Sequence, residues 1–197
     1  MEFTHAQPWI VKSIKQRTLL NAWQGLMADA GRIPALGDFQ PEELTGELPD
    51  TIFYDVVHDT DPPRFLIVKS GQRLRESFGF SGLGKFIDES MAPRLWAITQ
   101  PIYLKSIGTG RPVYSLFTID DVQGREVKYE RLALPFSSNA DGTPDALLVS
   151  IKAFRWDGAY ELKDLMLPRG AEPVYQLRAV IDATDLADPG PSDQLDV

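Results

Sequence analysis

Pro112-Val-Tyr-Ser-Leu-Phe-Thr-Ile119, Glu126-Val-Lys-Tyr-Glu-Arg-Leu-Ala-Leu-Pro-Phe136 and Ala146-Leu-Leu-Val-Ser-Ile-Lys-Ala-Phe-Arg-Trp156 are three runs rich in β-branched and aromatic residues. Turn formers separate them, Asp120-Asp-Val-Gln-Gly124 in the first gap and Asn139-Ala-Asp-Gly-Thr-Pro144 in the second. Apolar runs bounded by such residues read as strands, here three consecutive antiparallel ones. A sheet of this kind has a face to bury, and the remaining chain supplies little helix to cover it. That combination points to a sheet with a pocket on one face.

Working outward, residues 91–107 form the helix before these strands, with Leu95, Trp96, Ile98, Ile102, Tyr103 and Ile107 as its apolar positions. Pro101 lies inside the pattern and predicts a kink or a split. Gly108 and Gly110 are expected to end the helix. Further upstream, Thr51-Ile-Phe-Tyr-Asp-Val-Val57 and Arg64-Phe-Leu-Ile-Val-Lys69 read as a hairpin around Asp59-Thr-Asp-Pro-Pro63. A short helix over 71–78, a glycine loop (Gly79, Gly82, Gly84) and a helical turn over 85–89 follow the hairpin.

Residues 9–30 read as an amphipathic helix through Trp9, Ile10, Ile14, Leu19, Leu20 and Trp23, closed by Gly31. Within the Pro/Gly-punctuated 32–50, Pro41-Glu-Glu-Leu44 suits one helical turn. Periodicity does not separate helix from strand over 160–167 or over Val174-Tyr-Gln-Leu-Arg-Ala-Val-Ile181. The segment 182–196 carries five of the 28 acidic residues and no base, the composition of a disordered tail. The chain thus divides into a lead-in over 1–50, a core over 51–158 and an extension over 159–197.

The composition, 43% hydrophobic and 24% charged over 197 residues, supports one globular core. A net charge of −8 argues against non-specific nucleic-acid binding, which needs clustered Lys and Arg. No apolar run approaches the ~20 residues of a membrane span. The first residues lack the pattern of a secretory signal. The absence of cysteine excludes disulfides and thiolate metal sites and fits a reducing compartment, so the expected location is the cytoplasm.

Several features in order resemble the PAS-like domain family widespread in alphaproteobacteria. They are Trp23 ahead of Gly31-Arg-Ile-Pro34, then Asp38-Phe-Gln-Pro41 leading to Leu48-Pro49, and the strand Phe53-Tyr-Asp-Val56. Arg64-Phe65 opens the next strand, and Glu130-Arg-Leu-Ala-Leu-Pro135 precedes Asp141-Gly142. Where the family has a Val-Gly-Thr-like turn, this chain has Val68-Lys-Ser-Gly71. The resemblance implies an α+β fold with a five-stranded antiparallel sheet in the order 2-1-5-4-3, helices over one face and an N-terminal helix. It also implies a stand-alone bacterial sensory or interaction module, non-enzymatic, homodimeric through the helix before the core or working through a signalling partner.

In the strand carrying Glu130-Arg131, side chains alternate between faces, so Arg131 points with Tyr129, away from Glu130, Leu132, Leu134 and Phe136. A buried guanidinium needs a partner, either a structural acid or a carboxylate-bearing ligand. The ligand candidates are therefore Trp96, Tyr103, Ser115, Phe117, Tyr129 and Arg131, around an apolar cavity between helix and sheet. Two distant histidines, His5 and His58, without cysteine disfavour zinc. The resemblance would place a haem ligand near the longer helix, which has no histidine, and a flavin-cysteinyl adduct needs a cysteine. The alternatives are a protein-interaction adaptor with a filled core and a small α+β enzyme using Arg131 with a carboxylate. The identity of the ligand stays open.

Overall fold

A computed structural model describes residues 2–40, 48–78, 82–91, 93–120, 124–154 and 173–182. The turn expected at 41–44, the segment 160–167, part of the glycine loop and the acidic tail lie outside the described residues. The described strands are β1 (Thr4–Ala6), β2 (Thr51–Val57), β3 (Arg64–Ser70), β4 (Val113–Asp120), β5 (Glu126–Phe136), β6 (Ala146–Phe154) and β7 (Val174–Ile181). The helices are α1 (Ile14–Ala30), α2 (Gln72–Phe78), α3 (Ile87–Ser90) and α4 (Pro93–Thr109). The protein is α+β.

All seven strands join one sheet in the order β1-β7-β4-β5-β6-β2-β3. Numbered among themselves, the five expected strands, β2 to β6, lie in the expected order 2-1-5-4-3. The expected strand count needs correction, because β7 adds to the free edge of β4 and the three-residue β1 adds to β7. The eight ambiguous residues of β7 thus pair as a strand, since β4 offers an unpaired ladder and a lone strand edge is left open at a cost. β1 runs parallel to β7, with Ala6 opposite Ile181, and every other pairing is antiparallel.

Alternation along the strands sends two cores to opposite faces. On β5, Val127, Tyr129 and Ala133 go to one core, and Leu132, Leu134 and Phe136 go to the other. Ile102, Tyr103 and Ile107 of α4, with Leu74 of α2 and Ile87 of α3, cover the first face. Leu19, Leu20 and Trp23 of α1 cover the second. Leu19, Leu20 and Trp23 of the N-terminal stripe are thus spent on its own sheet, whereas Trp9 and Ile14 stay exposed. The indole Nε1 of Trp23 donates to the Pro135 carbonyl at 2.6 Å, which satisfies the polar atom of a ring that is fully buried.

Two helix boundaries differ from expectation. α1 starts at Ile14 rather than near Trp9, because Ser13 caps it by accepting the Gln16 N–H, while Pro8–Ile10 makes a separate 3-10 turn. Gly31 closes it at φ 64, the left-handed conformation that suits glycine. α4 runs unbroken through Pro101 and past Gly108 to Thr109. Proline removes one donor from the ladder. Here the packing of Ile102, Tyr103 and Ile107 keeps both halves on the sheet. The reversal falls at Gly110, at φ 62, where a Cβ would stand 2.5 Å from Ile33. Among the described residues no helix is long and apolar enough to cross a membrane.

Candidate ligand cavity

Between α4 and the sheet the first core is incomplete. A partly enclosed cavity of about 40 Å³ lies there, walled by Ile98 and Thr99 of α4, by Phe117 of β4, Tyr129 and Arg131 of β5 and Tyr175 of β7. Met91 and Leu95, both partly exposed, also line it. The strand period places Phe117, Tyr129 and Arg131 on one surface, and helical spacing turns Leu95, Ile98, Thr99 and Tyr103 towards it.

Four of the expected residues line this space: Tyr103, Phe117, Tyr129 and Arg131. Phe117 and Tyr129 stack face to face, with centroids 5.0 Å apart and planes 6° from parallel. Two candidates stand elsewhere. Trp96 lies behind the wall, edge-on to Phe65 and Tyr103 at 6.1 Å each. Ser115 is fully buried on the cavity face of β4, one pleat beyond Phe117 and directly across the ladder from Arg131.

Arg131 is the one charged residue in the wall and is only 6% exposed. Its Nε and Nη1 are buried without a hydrogen-bond partner. The guanidinium carbon lies 5.3 Å from the Phe117 ring centroid and 6.0 Å from that of Tyr103. Cation–π contacts of this length recover part of the hydration lost on burial, not all of it. The structural salt bridge weighed from the sequence is absent among the described residues. The neighbouring acid, Glu130, is carried to the opposite face by the pleat.

Neutral hydroxyls surround the cation. The Tyr54 and Tyr103 oxygens lie 3.4 Å apart. Burial pushes the Tyr54 phenol well above its usual range, the Tyr103 neighbour adds to this, and Arg131 opposes it. Burial likewise raises Tyr103, with Arg131 pulling it down. Both phenols stay protonated at neutral pH. The positive charge of Arg131 is therefore uncompensated within the cavity.

Sequence reasoning missed Tyr54, Tyr175 and Arg178. Tyr54 lay beside Phe53 in a strand whose facing was open, while Phe53 in fact serves the α1 core. Tyr175 and Arg178 lay in the run whose period was ambiguous. Tyr175 closes the cavity wall and donates from its hydroxyl to the Ile98 carbonyl at 3.0 Å, tying β7 to α4. Arg178 lies with its guanidinium carbon 3.5 Å from the centre of the Tyr175 ring. Alternation gave no usable signal for Tyr175, because the register shift of β7 opposite Leu116 and Phe117 puts Tyr175 on the cavity face and Leu177 on the α1 face.

On the far face, Glu130 lies among groups of the α1 lead-in. Its Oε2 accepts the Ser13 N–H at 3.0 Å, and the Tyr114 hydroxyl, which accepts the Lys12 N–H at 3.3 Å, stands beside it. Burial raises the carboxyl above its ordinary value, while the Ser13 N–H, the Tyr114 hydroxyl and the Lys128 and Lys12 charges pull it down. Lys152, across the ladder from Glu130, donates instead to Asp50 at 2.6 Å.

No family model matches the chain, and no curated protein is significantly similar to it. Fourteen solved chains resemble it in shape. VqmA bound to DPO is 16% identical over 59% of this chain and 57% of that one, with a TM-score of 0.43. A Vibrio cholerae VqmA dimer solved without its target DNA is 17% identical over 60% and 52%, with a TM-score of 0.43. The PAS domain of a Colwellia psychrerythraea protein is 8% identical over 58% and 98%, with a TM-score of 0.40. The match spans about half the length of the VqmA chains. At these identities and scores nothing about function passes from them to this chain.

Proposed function

We propose that this chain is a PAS-like, non-enzymatic sensory domain of the cytoplasm that binds a small molecule in the cavity between α4 and the sheet. Its occupancy would be passed on through homodimer or partner contacts. The observation that carries the reading is Arg131, 6% exposed and facing a cavity, with two nitrogens that no described residue satisfies. Buried polar groups are otherwise nearly always paired, and their exceptions call for a role. The described wall offers phenols, a threonine and a guanidinium but no carboxylate or imidazole. That set suits binding rather than acid–base chemistry. The order of β2 to β6 supports the PAS-like assignment, and the net charge of −8 disfavours a nucleic-acid partner.

Native mass spectrometry of the purified full chain, with a thermal-shift screen of small metabolites, tests the proposal. The expected result is a retained small molecule or a ligand that raises the melting temperature, in either case lost when Ile151 of β6, which also lines the cavity, is replaced to fill it (Ile151→Phe). A chain that carries nothing and answers to nothing would sink it.

A second reading, an adaptor with a filled core, draws on two observations. The cavity is small, about 40 Å³. Trp9 and Ile14, at the start of the first helical segment, are 53% and 72% exposed. A dimer or partner contact through the N-terminal helix would use these two residues, since Leu19, Leu20 and Trp23 are already buried. Substituting both with serine should abolish self-association in sedimentation velocity. An unchanged profile would remove the helix from the contact.

A further inference from the structure

Three polar side chains form a row across the sheet beneath α4. Ser115 of β4 is the direct cross-strand partner of Arg131 on β5 and of Arg178 on β7. Directly paired antiparallel residues share a face, with Cβ atoms about 4.5–5.5 Å apart. The row therefore reads cation, hydroxyl, cation on the cavity side.

Each member keeps a buried atom without a partner: Nε and Nη1 of Arg131, Oγ of Ser115 and Nε of Arg178. Ser115 is fully buried and Arg131 is 6% exposed. Among the described residues neither guanidinium has an ion-pair partner, although Arg64, Arg73 and Arg111 all do. A doubly positive row of unmet donors is what an anion would satisfy. A guanidinium fork matches the two oxygens of a carboxylate, and a serine hydroxyl adds a third donor.

The surroundings define the rest of the ligand. The stacked Phe117 and Tyr129 rings, with Tyr103 and Tyr175, make walls that favour a flat apolar body. Space limits it to one ring. A cavity that holds benzene measures about 150 Å³, so the present 40 Å³ must widen. Met91 and Leu95 of the wall are partly exposed, and methionine is the side chain most readily re-packed.

The geometry points to a small aromatic carboxylate as the ligand class, its carboxylate on Arg131 and Ser115, its ring against Phe117 and Tyr129, and Arg178 adding positive field at the row's end. This rests on the cavity reading above.

Isothermal titration of the full chain with benzoate and with its neutral isostere benzamide tests it. Benzoate should bind at least tenfold more tightly. Arg131→Met, confirmed folded by circular dichroism, should erase that preference, and Ser115→Ala should weaken benzoate several-fold. Equal binding of the two probes, or a preference that survives Arg131→Met, overturns the anion assignment while leaving a neutral-ligand cavity standing. If neither probe binds, the aromatic-carboxylate class falls, whereas the cavity reading falls only with an empty native mass spectrum and a silent screen.

Discussion

Glu130 and Arg131 are consecutive on β5, yet they meet opposite treatment on the two faces of one sheet. On the α1 face the carboxylate receives a backbone N–H from Ser13 at 3.0 Å and stands beside the Tyr114 hydroxyl. Around it Trp23, Leu132, Leu134 and Phe136 are fully buried. On the α4 face the guanidinium has two unmet nitrogens and a gap in front of it. Both charges are costly to bury. One cost is offset in part within the chain, and the other is left open among the described residues. A fold selected for stability alone has no reason to keep the second, so the contrast sets a structural face against the face proposed to bind.

The largest expected effect lies on the structural face. Trp23→Ala removes a fully buried indole and its bond to the Pro135 carbonyl, and should cost about 3–5 kcal/mol in urea unfolding. A loss below about 1 kcal/mol would mean that α1 is not docked on its own sheet. A smaller effect of opposite sign is expected across the sheet. Arg131→Met replaces an unpaired buried cation with an apolar side chain and should stabilise the ligand-free chain by about 1–2 kcal/mol. A lower melting temperature would reveal a partner for Arg131 and erase the contrast between the faces.

The smallest effect concerns pH. Burial holds the Glu130 carboxyl above its ordinary value in the folded chain. The folded state therefore binds this proton at a pH where the unfolded chain has released it. The resulting stabilisation is complete below the ordinary carboxylate value and is lost as pH rises through the folded one. The wild type should accordingly gain stability relative to Glu130→Gln as pH falls across that window. Parallel pH profiles for the two proteins would place the carboxylate in solvent.

Much of this contrast was legible in the chain itself. Strict alternation through Tyr129, Glu130, Arg131 and Leu132 assigned each to its face before any coordinates, because a period of two leaves no other choice once one side is apolar. The five central strands followed from runs long enough to carry a pattern, whereas their order came only from the family resemblance. What stayed hidden had too little pattern to read. β1 has three residues, and its pairing with β7 depends on a ladder made elsewhere in the chain. β7 carries a register shift that breaks its alternation. Pro101 obeyed its neighbours' packing rather than its own propensity. The cavity needed three dimensions, because Tyr54, Tyr103 and Tyr175 converge from three elements far apart in sequence.

The pairing of β1 with β7 has one more consequence. Thr4 Oγ1 donates to the carbonyl of Arg178, 174 positions away, and Asp182 is gripped by both His5 and Arg111. The first and last described strands thus lie side by side, running the same way along one edge. Strands held side by side like this can be bridged by a short linker from Asp182 to Thr4 while the chain is re-opened elsewhere. The exposed bend at Asp59 and Thr60, between two strands of the opposite edge, offers a new pair of termini.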